Sequence, residues 1–449
     1  MFLSVLRQPR AERSRAPLWL WPAVGSLAGF VAALVSVRVR LAASHPLGWL
    51  RWPGDGDSAG TLLQTVAGSV ITVTGLTFTL TVVALQLASQ QFSPRLLREF
   101  TRDRVIKAVL CVLVTTFVFT TTVLRYVRSD EPVPDLALLI ASGLGLAALA
   151  AVLGFVTHIA RALRVDTMML AVHDETDRAI ATFYPHSGDP RPRSPEGMHS
   201  GGAEDAVLRA LNSGFVRLID VDALVHAART ADVVIEIEVR PGDHVVRGTP
   251  VASVWTRDGQ APDVAALEAA VHGGIRLGYE RTVEQDAAFG FRQLTDIAVK
   301  ALSPALNDPV TAAHAIGHMA DLLVKLAGRR LGATLHEDGE GTGRLVVPDR
   351  DLAYYLELAC GQIRRYGRHE PTVLSALLRM LRDLAVAAHD DEQRAHIADQ
   401  TDLVVAELPS ALAKHDVDQV EDMAGRVRQA LSGQTRRAYL DRSGETRSI

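Results

Sequence analysis

The sequence predicts an α-helical membrane domain of four transmembrane helices, followed by an α+β cytoplasmic region in which a small barrel-sandwich-like β module precedes a helical bundle. Three observations lead there. The stretch Ser58 to Pro94 runs 37 residues without a charged side chain, about twice what one helix needs to cross a bilayer. The block 214–258 holds three alternating runs, FVRLID, DVVIEIEVR and PVASVWT, which read as strands. Beyond 283 the apolar residues recur at helical spacing, as in Leu374, Leu377, Leu378 and Leu381. A chain of 449 residues exceeds one ordinary domain. Four parts follow: a membrane domain at 1–164, a connecting helix and flexible linker at 165–212, the β module at 213–282, and a helical domain at 283–449.

The four spans fall at about 17–38, 61–90, 106–126 and 136–160. The first, preceded by four arginines and lacking a clear cleavage site, reads as a retained span and not a secretory signal. Loop arginines set the orientation: Arg95, Arg98, Arg102, Arg104 and Lys107 gather on one side with the basic N-terminal tail, while Arg38, Arg40, Arg51, Arg125 and Arg128 are diluted by acids. Both termini are thereby expected on the cytoplasmic side of the cell membrane. Trp19, Trp21, Trp49 and Trp52 read as interfacial anchors, and 92–104 as a short cytoplasmic helix capped by Ser93 that lies along the inner membrane surface or packs on the soluble domain.

Composition closes off several classes. The net charge of −4 gives no general attraction to nucleic acid. Two cysteines, Cys111 and Cys360, make no disulfide framework. The segment VRPGDHVVRGTPVASVW resembles the hairpin of biotinyl and lipoyl domains, yet no lysine occurs between 108 and 299 to carry a prosthetic group. Only the fold survives that likeness. No nucleophile elbow, phosphate loop or dinucleotide glycine pattern is present, so the reading is non-enzymatic, with no cofactor and no metal.

Within the β block, Arg240-Pro241-Gly242-Asp243 fits a type II turn. IRLGYERT supplies one further strand, and helices follow at about 284–302, 309–328, 349–367, 371–389, 391–407 and 415–432. HEDGEGTG reads as a glycine-rich break between two of them, and the tail from Gly433 as frayed.

Two sets of residues stand out as candidate sites. On the second span Thr65, Gly68, Thr72, Gly75, Thr79 and Gln86 recur at steps of three, four and seven, which makes one helix face small and polar. Such a seam serves either close helix packing or, around an oligomer axis, a wet path. Thr115, Thr116, Thr120, Thr121 and Thr122 of the third span would add to it. No Asp, Glu, Lys or Arg lies mid-span and only His158 comes near, which argues against proton-coupled transport. The second set is Arg281, Gln285, Asp286, Arg292, Gln293, Asp296, Asn307 and Asp308, a polar cluster across a helix-loop-helix that is either a structural network or a ligand or ion site. Asp308 and Pro309 read as the start of a helix. His314, His318 and Asp321 have the spacing of a metal clasp but no third ligand of known position.

The run ERTVEQDAAFGFRQLTDIAVKALSPALNDPVTAA, together with VVALQLASQQFSPRLLREFTRD, resembles the bacterial predicted-membrane-protein family catalogued as domain of unknown function 2254. The resemblance spans nearly the whole chain and implies a multi-pass bacterial membrane protein with a cytoplasmic C-terminal region. It brings no activity with it. The expected function is an oligomeric, channel-like ion-permeation protein controlled by its cytoplasmic region, with a homo-oligomer and an unidentified small ion or ligand as partners. The alternative is a membrane-anchored interaction or sensory scaffold without a pore.

Overall fold

The computed structural model describes residues 19–39, 52–91, 103–128, 133–162, 164–187, 204–257 and 262–440, the backbone alone for 87–91. The chain forms two compact units, Met1–Thr167 and Met168–Ile449.

In the first unit α1 (Leu20–Arg38), α2 (Gly56–Gln91), α3 (Arg104–Leu124) and α4 (Asp135–Ala162) are long and apolar enough to cross a membrane. They match the four expected spans. α3 is the hub, packed against α1, α2 and α4. It buries Ile106, Val109, Leu113, Thr116, Phe119 and Val123, while Leu27, Phe30, Leu76, Phe78, Leu146 and Leu153 stay exposed as a lipid-facing surface should. α1 meets α3 through Gly25, Gly29 and Ala33. A Cβ on Gly25 would stand 2.4 Å from Thr115 Oγ1, and one on Gly29 2.8 Å from the Thr115 carbonyl oxygen. Only glycine admits that approach, the small-residue mode of membrane helix packing.

The anchors divide. Trp19 and Trp21 are 66% and 55% exposed, as interfacial residues are. Trp52 is instead tied into the fold: its amide donates to Asp135 Oδ1 at 3.0 Å and its indole to Ser58 Oγ at 3.2 Å. Trp49 and the expected short cytoplasmic helix at 92–104, apart from its last two residues, lie outside the described residues.

The second unit opens with α5, which spans Val165–Phe183. Two sheets follow. β1 (Ala206–Arg209), β5 (Pro250–Thr256), β3 (Val233–Ile237), β8 (Gly343–Val347) and β7 (Thr334–Glu337) make a five-stranded sheet in that order, and β4 (His244–Val245), β2 (Gly214–Ile219) and β6 (Ile275–Gly278) a three-stranded one. The barrel-sandwich expectation is corrected here: neither sheet closes. The reason is that β3, antiparallel to β5 on one side, takes β8 as a parallel neighbour on the other, so the sheet grows outward with strands from beyond residue 330. α6 (Val221–Thr230) and α7 (Val264–Gly274), which the sequence reading missed, cover the core of Leu208, Ile235, Ile237, Val254, Leu267 and Val271.

The Pro241-Gly242 turn is as expected, with Gly242 at φ +90° and Asp243 N donating to Arg240 O at 3.0 Å. The HEDGEGTG break is not. It is the β7–β8 hairpin, in which Asp338 Oδ1 accepts the amides of Glu340 and Thr342 at 2.9 and 3.0 Å and Oδ2 accepts Arg344 Nε at 2.9 Å. The Arg344 hydrogen bond, first among several, holds the Asp338 carboxyl down to about 2.

The helical layer is α8 (Ala287–Ala301), α9 (Pro309–Ala327), α10 (Leu352–Gly367), α11 (Pro371–Ala387), α12 (Asp391–Ala406), α13 (Lys414–Leu431) and the short α14 (Thr435–Ala438). α11 is its centre, in contact with α9, α10, α12 and α13. The tail expected to fray from Gly433 is ordered to residue 440. Tyr439 donates to Asp383 Oδ1 at 2.5 Å, and its ring lies 4.1 Å from the guanidinium of the buried Arg382.

Candidate functional site

The seam residues lie on one side of α2, away from its buried residues. Ala59, Leu63, Ala67, Val70, Thr77 and Ala84 turn inward, whereas Thr65, Gly68, Thr72, Gly75, Thr79 and Gln86 are all exposed. A Cβ on Gly68 or Gly75 would meet nothing within 4 Å. Among the described residues, no other helix of the chain uses this stripe. Its hydroxyls are nonetheless satisfied within the helix: Thr65 donates to Thr61 O at 2.8 Å, Thr72 to Gly68 O at 2.8 Å and Thr79 to Gly75 O at 3.0 Å. Such back-bonding leaves an oxygen lone pair facing outward and no donor demanding a partner.

The third-span threonines do not join the seam, against expectation. Thr116, Thr120 and Thr122 are buried. Thr116 donates to Val112 O and lies 3.4 Å from Leu144 O on α4. They lie inside the unit because α3 is enclosed by its neighbours. His158, the one ionisable residue noted near a span end, pairs with Asp103 at 2.5 Å, and Asp103 also caps α3 through the Val105 amide.

In the second unit the eight-residue polar cluster separates into pieces. Asp286 stands at the N-cap of α8 but makes no cap bond. Its side chain, 1% exposed, takes Arg281 Nε and Nη2 on Oδ2 at 3.0 and 2.7 Å, and Arg350 Nη1 approaches Oδ1 at 3.5 Å. Arg350 also donates to Pro241 O at 2.9 Å, contacts Asp243 at 3.3 Å and lies over the Tyr354 ring. A Cβ at residue 242 would stand 2.0 Å from Asp286 Oδ2, so the turn needs glycine for this approach as well as for its φ.

The remaining members lie apart. Gln285 clasps the end of β2, accepting from Ile219 N at 2.7 Å and donating to Ile219 O at 3.3 Å. Arg292 donates to Gln362 on α10 at 3.1 Å, Gln293 is buried, and Asp296 is half-buried on α8. At the far end of α8, Asn307 adopts φ +47° and Asp308 caps α9 through Thr311 N and Oγ1 at 3.0 and 2.6 Å. These Thr311 bonds lower the Asp308 carboxyl. An anion would meet Asp308 first at that helix end.

Sequence reasoning missed the groups that complete the buried site: Asp243, Arg350, Asp349 and the tyrosine pair Tyr184 and Tyr355, whose hydroxyls are 2.8 Å apart. Burial pushes both phenols up, and Asp286 as well, against the opposing pull of Arg281 and Arg350. Asp349 is pushed up to about 6, first by burial, although it accepts the Arg350 amide at 2.7 Å. The charged triplet Asp349-Arg350-Asp351, just past β8 and Pro348, was the available signal. Chemically the arrangement is a buried ion-pair network that ties the Pro241-Gly242 turn to α8 and to the segment entering α10; removing one member strands another charge.

The histidine set is likewise engaged. His318 faces the ring of His173 on α5 at 5.2 Å, and Asp321 is shared by His173 at 3.2 Å and Lys325 at 2.8 Å. The lysine ammonium stands where a cation would go. Among the described residues no group of three His, Cys, Asp or Glu has metal-holding geometry.

Compared with known proteins, residues 15–383 match the family described as Predicted membrane protein (DUF2254). Similar relatives are Uncharacterized protein Rv1290c of Mycobacterium tuberculosis and Uncharacterized protein Mb1321c of Mycobacterium bovis, each 34% identical over 395 residues, covering 86% of this chain and 75% of the relative. No solved structure matches.

Proposed function

The chain belongs to the Predicted membrane protein (DUF2254) family, and we propose that it works in the cell membrane as an oligomeric, channel-like ion-permeation protein controlled by its second unit. In this reading both termini are cytoplasmic, and no catalytic step is involved. The observation that carries it is the unused face of α2. α1 uses its small residues on α3, but on the α2 stripe Thr65, Gly68, Thr72, Gly75, Thr79 and Gln86 are all exposed, and a Cβ on Gly68 or Gly75 would meet no described residue within 4 Å. Copies arranged with this face towards an axis would bring glycines into close approach and line the centre with threonine and glutamine oxygens.

A specific observation favours the second reading, a scaffold without a pore. The hydroxyls of Thr72 and Thr79 are satisfied by their own helix, so packing the stripe against a dry neighbour leaves no donor unpaired. Ion flux in proteoliposomes separates the two. Replacing Thr72 and Thr79 together with Val keeps volume and removes the hydroxyls; under the channel reading flux falls as the constriction dewets while assembly persists. Purified oligomer with no flux for any common monovalent ion sinks the channel and leaves the scaffold.

A further inference from the structure

β2 runs antiparallel to both of its neighbours, so the register gathers several chain passages at one end of the sheets. Gly214 pairs with Val245, Phe215 with Gly278, and Arg209 with Pro250. The residues just outside these pairs therefore form one tip: 210–213 entering β2, 246–249 leaving β4, and Tyr279 leaving β6. The two loops are bonded to each other. Gly248 N donates to Ala210 O at 2.8 Å, Ala210 N to Thr249 O at 2.9 Å, and Arg247 N to Ser213 Oγ at 3.0 Å. A Cβ on Gly214 would stand 2.9 Å from the Gly278 carbonyl oxygen, which keeps β2 and β6 tightly apposed there.

The tip gathers three of the second unit's exposed large hydrophobic residues. Leu211 is 56%, Val246 53% and Tyr279 89% exposed. Arg209 donates through Nη1 to Gly248 O at 3.0 Å, which places its guanidinium at the tip, and Arg247 is exposed beside it. Within 209–214, 245–249 and 277–280 the only carboxylate is Glu280, whereas the chain as a whole is net acidic at −4. Exposed aliphatics, an amphipathic tyrosine and arginines on a bonded pair of loops have the chemistry of a bilayer surface contact: the apolar groups enter the headgroup layer, the tyrosine sits at its polar boundary, and the cations meet anionic lipid.

We propose that the tip formed by Arg209, Leu211, Val246, Arg247 and Tyr279 is a docking surface for anionic lipid headgroups. The occupant follows from charge complementarity and from tethering: the chain is itself a membrane protein, so the bilayer surface is present at high effective concentration. This contact is independent of whether α2 lines a pore.

The test uses the full chain with Cys111→Ala and Cys360→Ala, reconstituted in vesicles of phosphatidylcholine alone or with one quarter phosphatidylglycerol. A spin label on Leu211→Cys is compared with one on Asp418→Cys, an exposed position on α13. In the anionic vesicles the label at 211 is expected to favour collision with oxygen over a water-soluble nickel chelate, and that at 418 the reverse. The preference at 211 should fall on raising salt and in Arg209→Gln/Arg247→Gln, by roughly fivefold per arginine. A label at 211 that is as chelate-accessible as the one at 418 in every lipid overturns the proposal. So does protection from both probes with dipolar broadening between copies, which would assign the tip to a second copy of the chain.

Discussion

Asp349→Asn isolates the electrostatics of the buried network in the second unit. Burial lifts the Asp349 carboxyl from its ordinary value of 3.8 to about 6, so the folded state holds a proton that the unfolded chain has already released. Stability from this group is therefore full below about pH 4 and is lost as pH rises through about 6. At about 1.4 kcal/mol per unit, the carboxylate costs the fold up to about 3 kcal/mol at pH 8, less what solvent screening of this partly buried group returns. Asparagine keeps an oxygen for the Arg350 amide and has no charge to desolvate. The variant is expected to be more stable than the parent at pH 8, with the difference closing towards zero near pH 4. Urea unfolding followed by the fluorescence of Trp255, the only tryptophan after residue 167, in detergent at several pH values measures it. Equal stabilisation at pH 4.5 and pH 8, or destabilisation at pH 8, would refute the argument that burial governs this carboxyl.

Arg350→Met leaves Asp286 with Arg281 alone and Asp243 without its ion-pair partner, and is expected to cost about 3 kcal/mol or more, read from the same unfolding curves. Gly29→Leu drives a side chain into the Thr115 backbone and should destabilise the first unit by about 1–3 kcal/mol, seen as a lower temperature of unfolding in detergent. Gly75→Leu meets no described residue of its own chain, so it should spare the monomer and disturb only assembly, measured by size-exclusion chromatography with light scattering. Tyr439→Phe removes the bond to Asp383 and should loosen residues 435–440 by about 1 kcal/mol, visible as faster amide exchange there and not in α9.

The four spans were legible because a long uncharged run has few other readings, and the helices after 283 because their apolar spacing is regular. α1 carried a plain signal in Gly25, Gly29 and Ala33, four apart, whose meaning emerged only once Thr115 was found against it. Pro241-Gly242 announced its turn, but its second role, admitting Asp286, depends on a residue more than forty positions away. β7 and β8 were hidden because they are short and because β8 finds its parallel partner at Ile235 and Glu236, over a hundred residues back. The polar cluster was half legible for the same reason. Local neighbours such as Arg281 and Asp286 could be paired from the sequence, whereas Arg350 and Tyr184 reach the site through tertiary folding alone.

The central claim is that the small polar face of α2 meets the same face of another copy. Thr72→Cys, placed in the background without native cysteines and oxidised in native membranes, tests it most directly, with the exposed Phe78→Cys as the comparison. The account predicts a disulfide-linked dimer from position 72 and much less from 78, which lies roughly 100° around the helix from the centre of the stripe. Absence of crosslinking at 72, 68 and 75 alike, with all three labelled from lipid by a membrane-soluble thiol reagent, would contradict it.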